Sequence, residues 1–296
     1  MALPTPAPNQ AYCNVSALDG GALEGVEELF VTNATPGRKD ILPSLCFLIQ
    51  HSEKPSKLVF DLGIRTDVEK YPPATQERII RYFGPVPGYG DVVGSLEKGG
   101  LKPDNIDFVC ISHLHWDHTG DTHLFKKSTF VVGGECRPLV ENGYPKNSDA
   151  LFSQDLFSFD RTRFISDDEW KPVGPFPRAL DFYGDGSLYI VDSPGHLPGH
   201  VNILARTSAD GAWIYLAGDS AHNWKLITGE GQIKVGMAGN PHWCLHQDLK
   251  KAEENIARIR EVWKIPRVRV VLAHDFPWYE ENRGGPAFWP GKIESL

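Results

Sequence analysis

Cysteine and methionine are scarce in these 296 residues, at five and two. The five cysteines, Cys13, Cys46, Cys110, Cys136 and Cys244, are odd in number, widely spaced and without a Cys-x-x-Cys pair. No disulfide framework can be drawn from them, and they read as thiols of a reducing compartment. Cys46 and Cys110 lie inside apolar runs and are expected as small core residues. Positive charge is also short: 30 Lys and Arg stand against 38 Asp and Glu, a net charge of −8. That balance argues against a polyanionic partner such as nucleic acid. No run of 18 apolar residues exists, so no membrane-spanning helix is expected. The start, Met1-Ala2-Leu3-Pro4-Thr5-Pro6-Ala7-Pro8, has neither the basic residues nor the apolar segment of a secretory signal, and the expected location is cytoplasmic. What remains is ordinary for a globular protein, 41% hydrophobic and 23% charged, enough for a substantial core without cross-links.

The chain reads as one domain over residues 1–296. Strands are expected at Tyr12 to Leu18 (closing on an Asp19-Gly20-Gly21 turn), Glu28 to Thr32, Leu45 to Ile49, Lys57 to Phe60, Phe108 to Ile111 and Thr129 to Val132. Short helices are expected around Gln76 to Phe83, from Asp91 to Lys98 and through Val140. Two hairpins follow: Ala179–Tyr183 with Leu188–Val191, and Val201–Ala205 with Trp213–Leu216. From His246 the apolar residues Leu249, Ala252, Ile256, Ile259 and Val262 recur at steps of three and four, an amphipathic helix that ends before Pro266. A last strand runs from Val268 to Ala273. Residues 141–177 lack periodicity but are rich in aromatics, among them Phe152, Phe157, Phe159, Phe164, Trp170 and Phe176, which must pack somewhere; an aromatic-rich, cap-like insertion over a pocket is expected.

The densest chemistry is Ser112-His113-Leu114-His115-Trp116-Asp117-His118-Thr119-Gly120-Asp121. Three histidines and an aspartate within six residues, directly after an apolar strand, read as metal ligands at the end of a buried sheet. Histidines or acids also follow other strands: Asp61 after Phe60, His196 within Ser193-Pro194-Gly195-His196-Leu197-Pro198-Gly199-His200, Asp219 after Gly218, and His274 after Ala273. His51, His123, His242 and His246 stand outside any motif and are expected on the surface.

Taken together, His113-x-His115-x-Asp117-His118, Gly195-His196, Gly218-Asp219 and Ala273-His274 resemble the metallo-β-lactamase superfamily. The resemblance runs from Asp61 to His274 and implies a four-layer αββα sandwich of the α/β class. It implies that His113, His115 and His196 hold one metal, that Asp117, His118 and His274 hold a second, and that Asp219 bridges them. Asp61 and His200 are then supports behind the ligands. Two zinc ions are the implied cofactors, with iron or manganese compatible with the same ligand types. Two close ions lower the pKa of a shared water to about 7, so that hydroxide can attack a carbonyl carbon, and Asp117 can accept the proton.

Within the superfamily the chain is most similar to the quorum-quenching lactonase-like branch, which includes fungal lactamases that open benzoxazolinone rings. The branch's lactonases carry a tyrosine three residues after the bridging aspartate, where this chain has His222. An imidazole there can assist a nitrogen or oxygen leaving group, so His222 is the second expected catalytic residue. Trp116, Phe152, Phe157, Trp224 and Trp243 are expected to line the pocket of a small cyclic ester or amide. A glyoxalase II-like thioesterase and a mono-iron persulfide-dioxygenase-like oxidoreductase are the alternatives. The protein is expected to be a monomer or homodimer without membrane or nucleic-acid partners.

Overall fold

Two β-sheets pack against each other in the computed structural model, which describes residues 2–296. The first contains β1 (Cys13–Val26), β2 (Lys39–His51), β3 (Lys57–Phe60), β4 (Gly84–Pro85), β5 (Phe108–Cys110), β6 (Thr129–Gly133) and β7 (Thr162–Ile165), in the spatial order β4-β1-β2-β3-β5-β6-β7. β1, β2 and β3 pair antiparallel, whereas β3, β5, β6 and β7 run parallel. The second contains β8 (Lys171–Val173), β9 (Phe176–Asp181), β10 (Leu188–Asp192), β11 (Val201–Arg206), β12 (Trp213–Leu216) and β13 (Val268–Val271), in the order β13-β12-β11-β10-β9-β8. Only its β12–β13 pair is parallel. The helices are α1 (Pro73–Tyr82), α2 (Val92–Lys98), α3 (Trp116–Thr119), α4 (Arg137–Glu141), α5 (Trp224–Thr228), α6 (Leu249–Trp263) and α7 (Phe276–Asn282).

Successive strand residues point to opposite faces, and here both faces are covered. In β2, Phe47 and Ile49 enter the core between the sheets, while Cys46 and Leu48 enter a second core shared with Val92 and Leu96 of α2. In β12, Ile214 and Leu216 face the inter-sheet core, while Trp213 and Tyr215 enter a third core with Ala252, Ile256, Ile259 and Val262 of α6. Three apolar layers between four layers of secondary structure are the αββα sandwich. Each fully buried aliphatic or aromatic side chain in them contributes about 1.5–3 kcal/mol relative to exposure. Helix α6 starts where Asp248 accepts a hydrogen bond from the Lys251 amide, as an N-cap aspartate does.

Some expected elements are corrected. The first strand does not end at Asp19: β1 continues to Val26, and its register shifts between Asp19 and Ala22, so Gly20-Gly21 make a β-bulge, not a turn. Gly20 is needed there because a Cβ would lie 2.2 Å from the Ser44 carbonyl oxygen. The segment read as a strand at Glu28 to Thr32 begins with a helical turn at Glu27–Leu29. That turn directs the buried Glu27 carboxylate to the Thr35 amide and the Lys225 ammonium. The aromatic segment 141–177 divides. Its later part supplies the edge strands β7 and β8, one to each sheet. Trp170 enters the inter-sheet core, and Phe157 packs on Phe130 at 5.3 Å. Only Asp149, Leu151 and Phe152 of this segment reach the cavity described below.

Candidate metal centre and substrate cavity

The chemistry collects where strands end. Asp61 follows β3, His113 and His115 lie between β5 and α3, Asp117 and His118 lie in α3, His196 lies between β10 and β11, Asp219 follows β12, and His274 follows β13. These are parallel or neighbouring strands of two facing sheets, so their ends converge on one edge of the sandwich. Gly218 makes the last approach possible. It adopts φ +47°, and a Cβ there would meet His200 Nε2 at 3.0 Å.

Two donor sets result. In the first, His115 Nδ1 lies 2.9 Å from both His113 Nε2 and His196 Nε2. In the second, His274 Nε2 is 3.3 Å from Asp117 Oδ2 and 3.3 Å from Asp219 Oδ1, and His118 Nε2 is 3.2 Å from Asp219 Oδ1. Asp219 joins them: its Oδ2 is 3.5 Å from His196 Nε2 and 3.7 Å from His113 Nε2. Atoms bound to one zinc-sized ion at about 2.0–2.1 Å in a tetrahedron are about 3.3 Å apart, so these spacings match. Hydrogen bonds alone do not satisfy the cluster. His118 Nε2 and Asp219 Oδ1 are buried without a hydrogen-bond partner, and a single N–H on His115 Nδ1 cannot serve two neighbours. Cations satisfy all of these atoms at once.

Supports behind the donors set their direction. Asp61 accepts from the Ser112 amide at 2.6 Å and the Ser112 hydroxyl at 2.7 Å, and its Oδ2 lies 2.8 Å from His118 Nδ1. His274 Nδ1 donates to the Pro43 carbonyl at 2.9 Å. Both rings thereby aim Nε2 into the site, the usual arrangement of a metal-binding histidine. His200 Nε2 accepts from the Asp219 amide at 3.1 Å and so fixes the loop that carries Asp219, while Asn255 of α6 donates to the adjacent Ser220 hydroxyl.

Electrostatics divide the two sets. Burial, followed by the neighbouring imidazoles, holds His113 and His196 well below the ordinary histidine pKa; burial pulls His115 down to about 4. Burial opposes charging of His118 and His274 as well, but the carboxylates of Asp219 and Asp117 outweigh it. They push His118 well up and His274 to about 10. Burial likewise opposes ionisation of Asp219 and Asp117, yet His118 and His274 hold both carboxyls below their usual range. At neutral pH the first set is therefore neutral and ready to ligate, whereas the second holds protons that an ion must displace. Calorimetric titration of the metal-free protein with zinc at pH 7, in buffers of different ionisation enthalpy, should show proton release at the second binding event only. Equal release at both events would contradict this assignment.

A cavity of about 730 Å³ opens onto the donors and is walled by Asp117, Asp219, His115, His196, His222 and His274. Its apolar surface comes from Leu23, Phe30, Leu42, Phe83, Trp116, Phe152 and Trp243. Three of the five expected pocket aromatics are there. Phe157 is in the core, and Trp224 is turned away, donating from Nε1 to Asp275 Oδ2 at 2.9 Å and packing on Trp263. His123 and His242 are exposed as expected. His51 and His246 are not. His51 is buried, with its Nδ1 accepting from the Glu53 and Lys54 amides and its Nε2 2.9 Å from Asp185 Oδ2. His246 is 4% exposed and lies beside His196 and His222. The sequence reading also missed Phe30, whose ring stacks on His222 at 5.5 Å, and α1, whose Arg78 and Arg81 reach the cavity. The one local signal for His246 was its place just before α6, whose start is tied to the His196 loop: the Gln247 amide donates to the His196 carbonyl and the Asp248 amide to the Gly195 carbonyl.

Comparison with known proteins defines the class. The chain belongs to the metallo-beta-lactamase superfamily, whose sequence model matches residues 40–274. It is 34% identical to metallo-hydrolase mfmC of Annulohypoxylon moriforme, over 92% of this chain and 82% of that protein. It is 37% identical to gamma-lactamase FDB1 of Fusarium pseudograminearum over 61% of this chain and 45% of that one. Cytochrome P450 monooxygenase mpaDE' of Penicillium brevicompactum is 30% identical over 97% of this chain, which spans only 36% of that relative's length. In fold the chain is similar to an N-acyl homoserine lactone hydrolase solved with N-hexanoyl-L-homoserine at its catalytic metal centre, with a TM-score of 0.69, 19% identity, and coverage of 95% of this chain and 98% of that one. No helix among the described residues is long and apolar enough to cross a membrane.

Proposed function

We propose that this protein is a dinuclear metal hydrolase that opens a small lactone or lactam ring. The observation that carries the proposal is Asp219, one carboxylate whose two oxygens face two separate donor sets at the floor of a cavity walled in part by aromatic side chains. In this reading His113, His115 and His196 hold one ion, Asp117, His118 and His274 hold the other, and Asp219 serves both. Zinc is the proposed ion. When bound, such ions supply Lewis-acid polarisation of a carbonyl and activation of water at neutral pH.

The chain's own residues do the rest. Asp61 and the Pro43 carbonyl keep His118 and His274 in the ligating orientation. Phe30, Trp116, Phe152 and Trp243 hold a flat ring and exclude bulk water, which strengthens every polar interaction at the floor. Asp117 lines the cavity and can take up a proton beside the reacting carbonyl. The gamma-lactamase name of one relative, and the lactone hydrolase that shares the fold, support ring opening as the reaction. Five unpaired cysteines, four of them buried, suit a cytoplasmic protein.

The deciding experiment uses metal-quantified protein against γ-lactones, bicyclic lactams, β-lactams and glutathione thioesters. Ring opening of a lactone or lactam with two ions bound is the expected result. Turnover of thioesters alone, or one iron per chain with oxygen consumption, would replace the proposal.

A further inference from the structure

We infer that Arg78 and Arg81, on the cavity side of α1, receive an anionic group of the substrate. The favoured lactone or lactam then carries a carboxylate on the part of the molecule away from the scissile carbonyl. The inference rests on the ring-opening reading above and narrows its substrate class.

Helix α1 is anchored at its start. The Thr75 hydroxyl donates to the Leu151 carbonyl, and Gln76 Nε2 donates to the Glu69 and Tyr71 carbonyls at 2.9 and 2.7 Å. Ile79 is buried beneath the helix. With 3.6 residues per turn, Ala74, Arg78, Arg81 and Tyr82 fall on one side, and all four line the cavity. The two arginines stand three positions apart, where side chains on a helix are neighbours. The Arg81 guanidinium also lies 5.2 Å from the centre of the Tyr82 ring, on the same wall.

Neither guanidinium has a partner in the protein. Every other arginine among the described residues makes an ion pair or a hydrogen bond. Arg78 and Arg81 make none, although Glu77 and Asp149 share the cavity wall with them. Like charges three apart on a helix destabilise it slightly, so the pair gains the fold nothing. Each guanidinium offers a planar fork of N–H donors that matches the two oxygens of a carboxylate. Both arginines are exposed, whereas Asp117, Asp219 and His274 are buried. A substrate that reaches both regions spans the cavity, with its acid at the mouth and its reacting carbonyl at the floor. The volume of about 730 Å³ suits a ligand of that length better than one small ring. A simple aliphatic lactone leaves both guanidiniums to water.

The test uses zinc-loaded protein and two bicyclic lactams that differ only at one substituent remote from the scissile bond. One carries a carboxylate there and the other a primary carboxamide. The wild type should favour the carboxylate in kcat/KM by about tenfold, the scale of charged hydrogen bonds at a solvated rim. The gain should lie mainly in KM, because a contact far from the reacting bond is the same before and during the reaction. Arg78→Gln combined with Arg81→Gln should bring the two compounds within about twofold of each other. Lys264→Gln makes a charge change of the same sign at the exposed C-cap of α6 and should keep the preference. No preference in the wild type, a preference retained in the double variant, or one lost equally in Lys264→Gln would overturn the inference. Should no lactam be opened at all, the ring-opening reading fails, yet calorimetric binding of 2-naphthoate and 2,6-naphthalenedicarboxylate still decides this one. The second carboxylate should tighten binding about tenfold in the wild type and less than about twofold in the double variant. An equal gain in both proteins, or no gain in the wild type, refutes the anion-binding role.

Discussion

Asp219→Asn should lower ring opening by about 10²–10³-fold and bring bound metal from two equivalents to one or fewer. Asparagine keeps the shape of the side chain and its backbone amide, which donates to His200 Nε2. It loses the negative charge and one of the two acceptor oxygens. In the wild type Oδ1 faces His118 and His274 while Oδ2 faces His113, His196 and His222. An amide offers an acceptor to one group and a donor to the other, so one donor set faces an N–H where it needs a lone pair. Removing one preorganised charge from a buried site costs this much in rate. Elemental analysis of the purified variant and its kcat/KM check both parts; two retained ions with an unaltered rate would refute the shared-carboxylate arrangement.

The same change has a pH signature in the metal-free protein. His274 is raised from its ordinary value to about 10, with Asp219 the largest of the charges raising it. A group whose folded pKa lies above its unfolded one adds stability that is complete below about pH 6.5 and disappears as pH rises through about 10. Asp219→Asn should shrink that contribution, so the metal-free variant should lose less stability than the metal-free wild type between pH 7 and 10.

The second large effect is expected at Asp61. Asp61→Asn should lower activity about 10–100-fold, the scale found for the supports of metal-ligating histidines, and cost about 1–3 kcal/mol of stability. Asp61 is buried at φ +62°, a left-handed conformation that asparagine tolerates and alanine does not. The substitution is therefore quiet for the backbone. The amide oxygen can keep the Ser112 amide, and the Ser112 hydroxyl can reverse its role. The conflict falls on His118, whose Nδ1–H would face an NH₂ group at 2.8 Å. Relief requires the other tautomer, and that places a hydrogen on Nε2, where an ion needs a lone pair. Thermal unfolding with and without zinc separates the two costs: the metal-dependent rise in Tm should shrink more than the metal-free Tm falls. An undiminished zinc-dependent rise would show that Asp61 does not set the His118 tautomer.

Much of the molecule was readable from local pattern. The strands β2, β3, β5, β6 and β10 to β12, the helices α2 and α6, and the hairpin partners came from period, caps and turn residues, because each depends on neighbours within a few positions. Where glycine served two roles, pattern failed. Gly20-Gly21 reads as a turn, but the strand continues through it because the partner β2 runs on beside it and the extra residue is absorbed as a bulge. Glu27, polar in sequence, is buried because Lys225, 198 residues away, returns to pair with it.

The sequence by itself determined which atoms could bind cations. Three imidazoles and a carboxylate within six residues after an apolar strand leave little else to do, and the strand ends at Asp219 and His274 carry the same chemistry. Only the tertiary structure decided which of these donors meet. The order β3-β5 in one sheet and β12-β13 in the other brings their ends to a common edge, and the inter-sheet core fixes the distance between them. It also decided which aromatics line the cavity. Trp224 and Phe157 have the right character but stand on the wrong side of α5 and β6, whereas His246, with no motif around it, is carried beside His222 by the start of α6. Side-chain chemistry is local and legible; the direction a side chain faces is a property of the packed layers, and residues far apart in the chain settle it together.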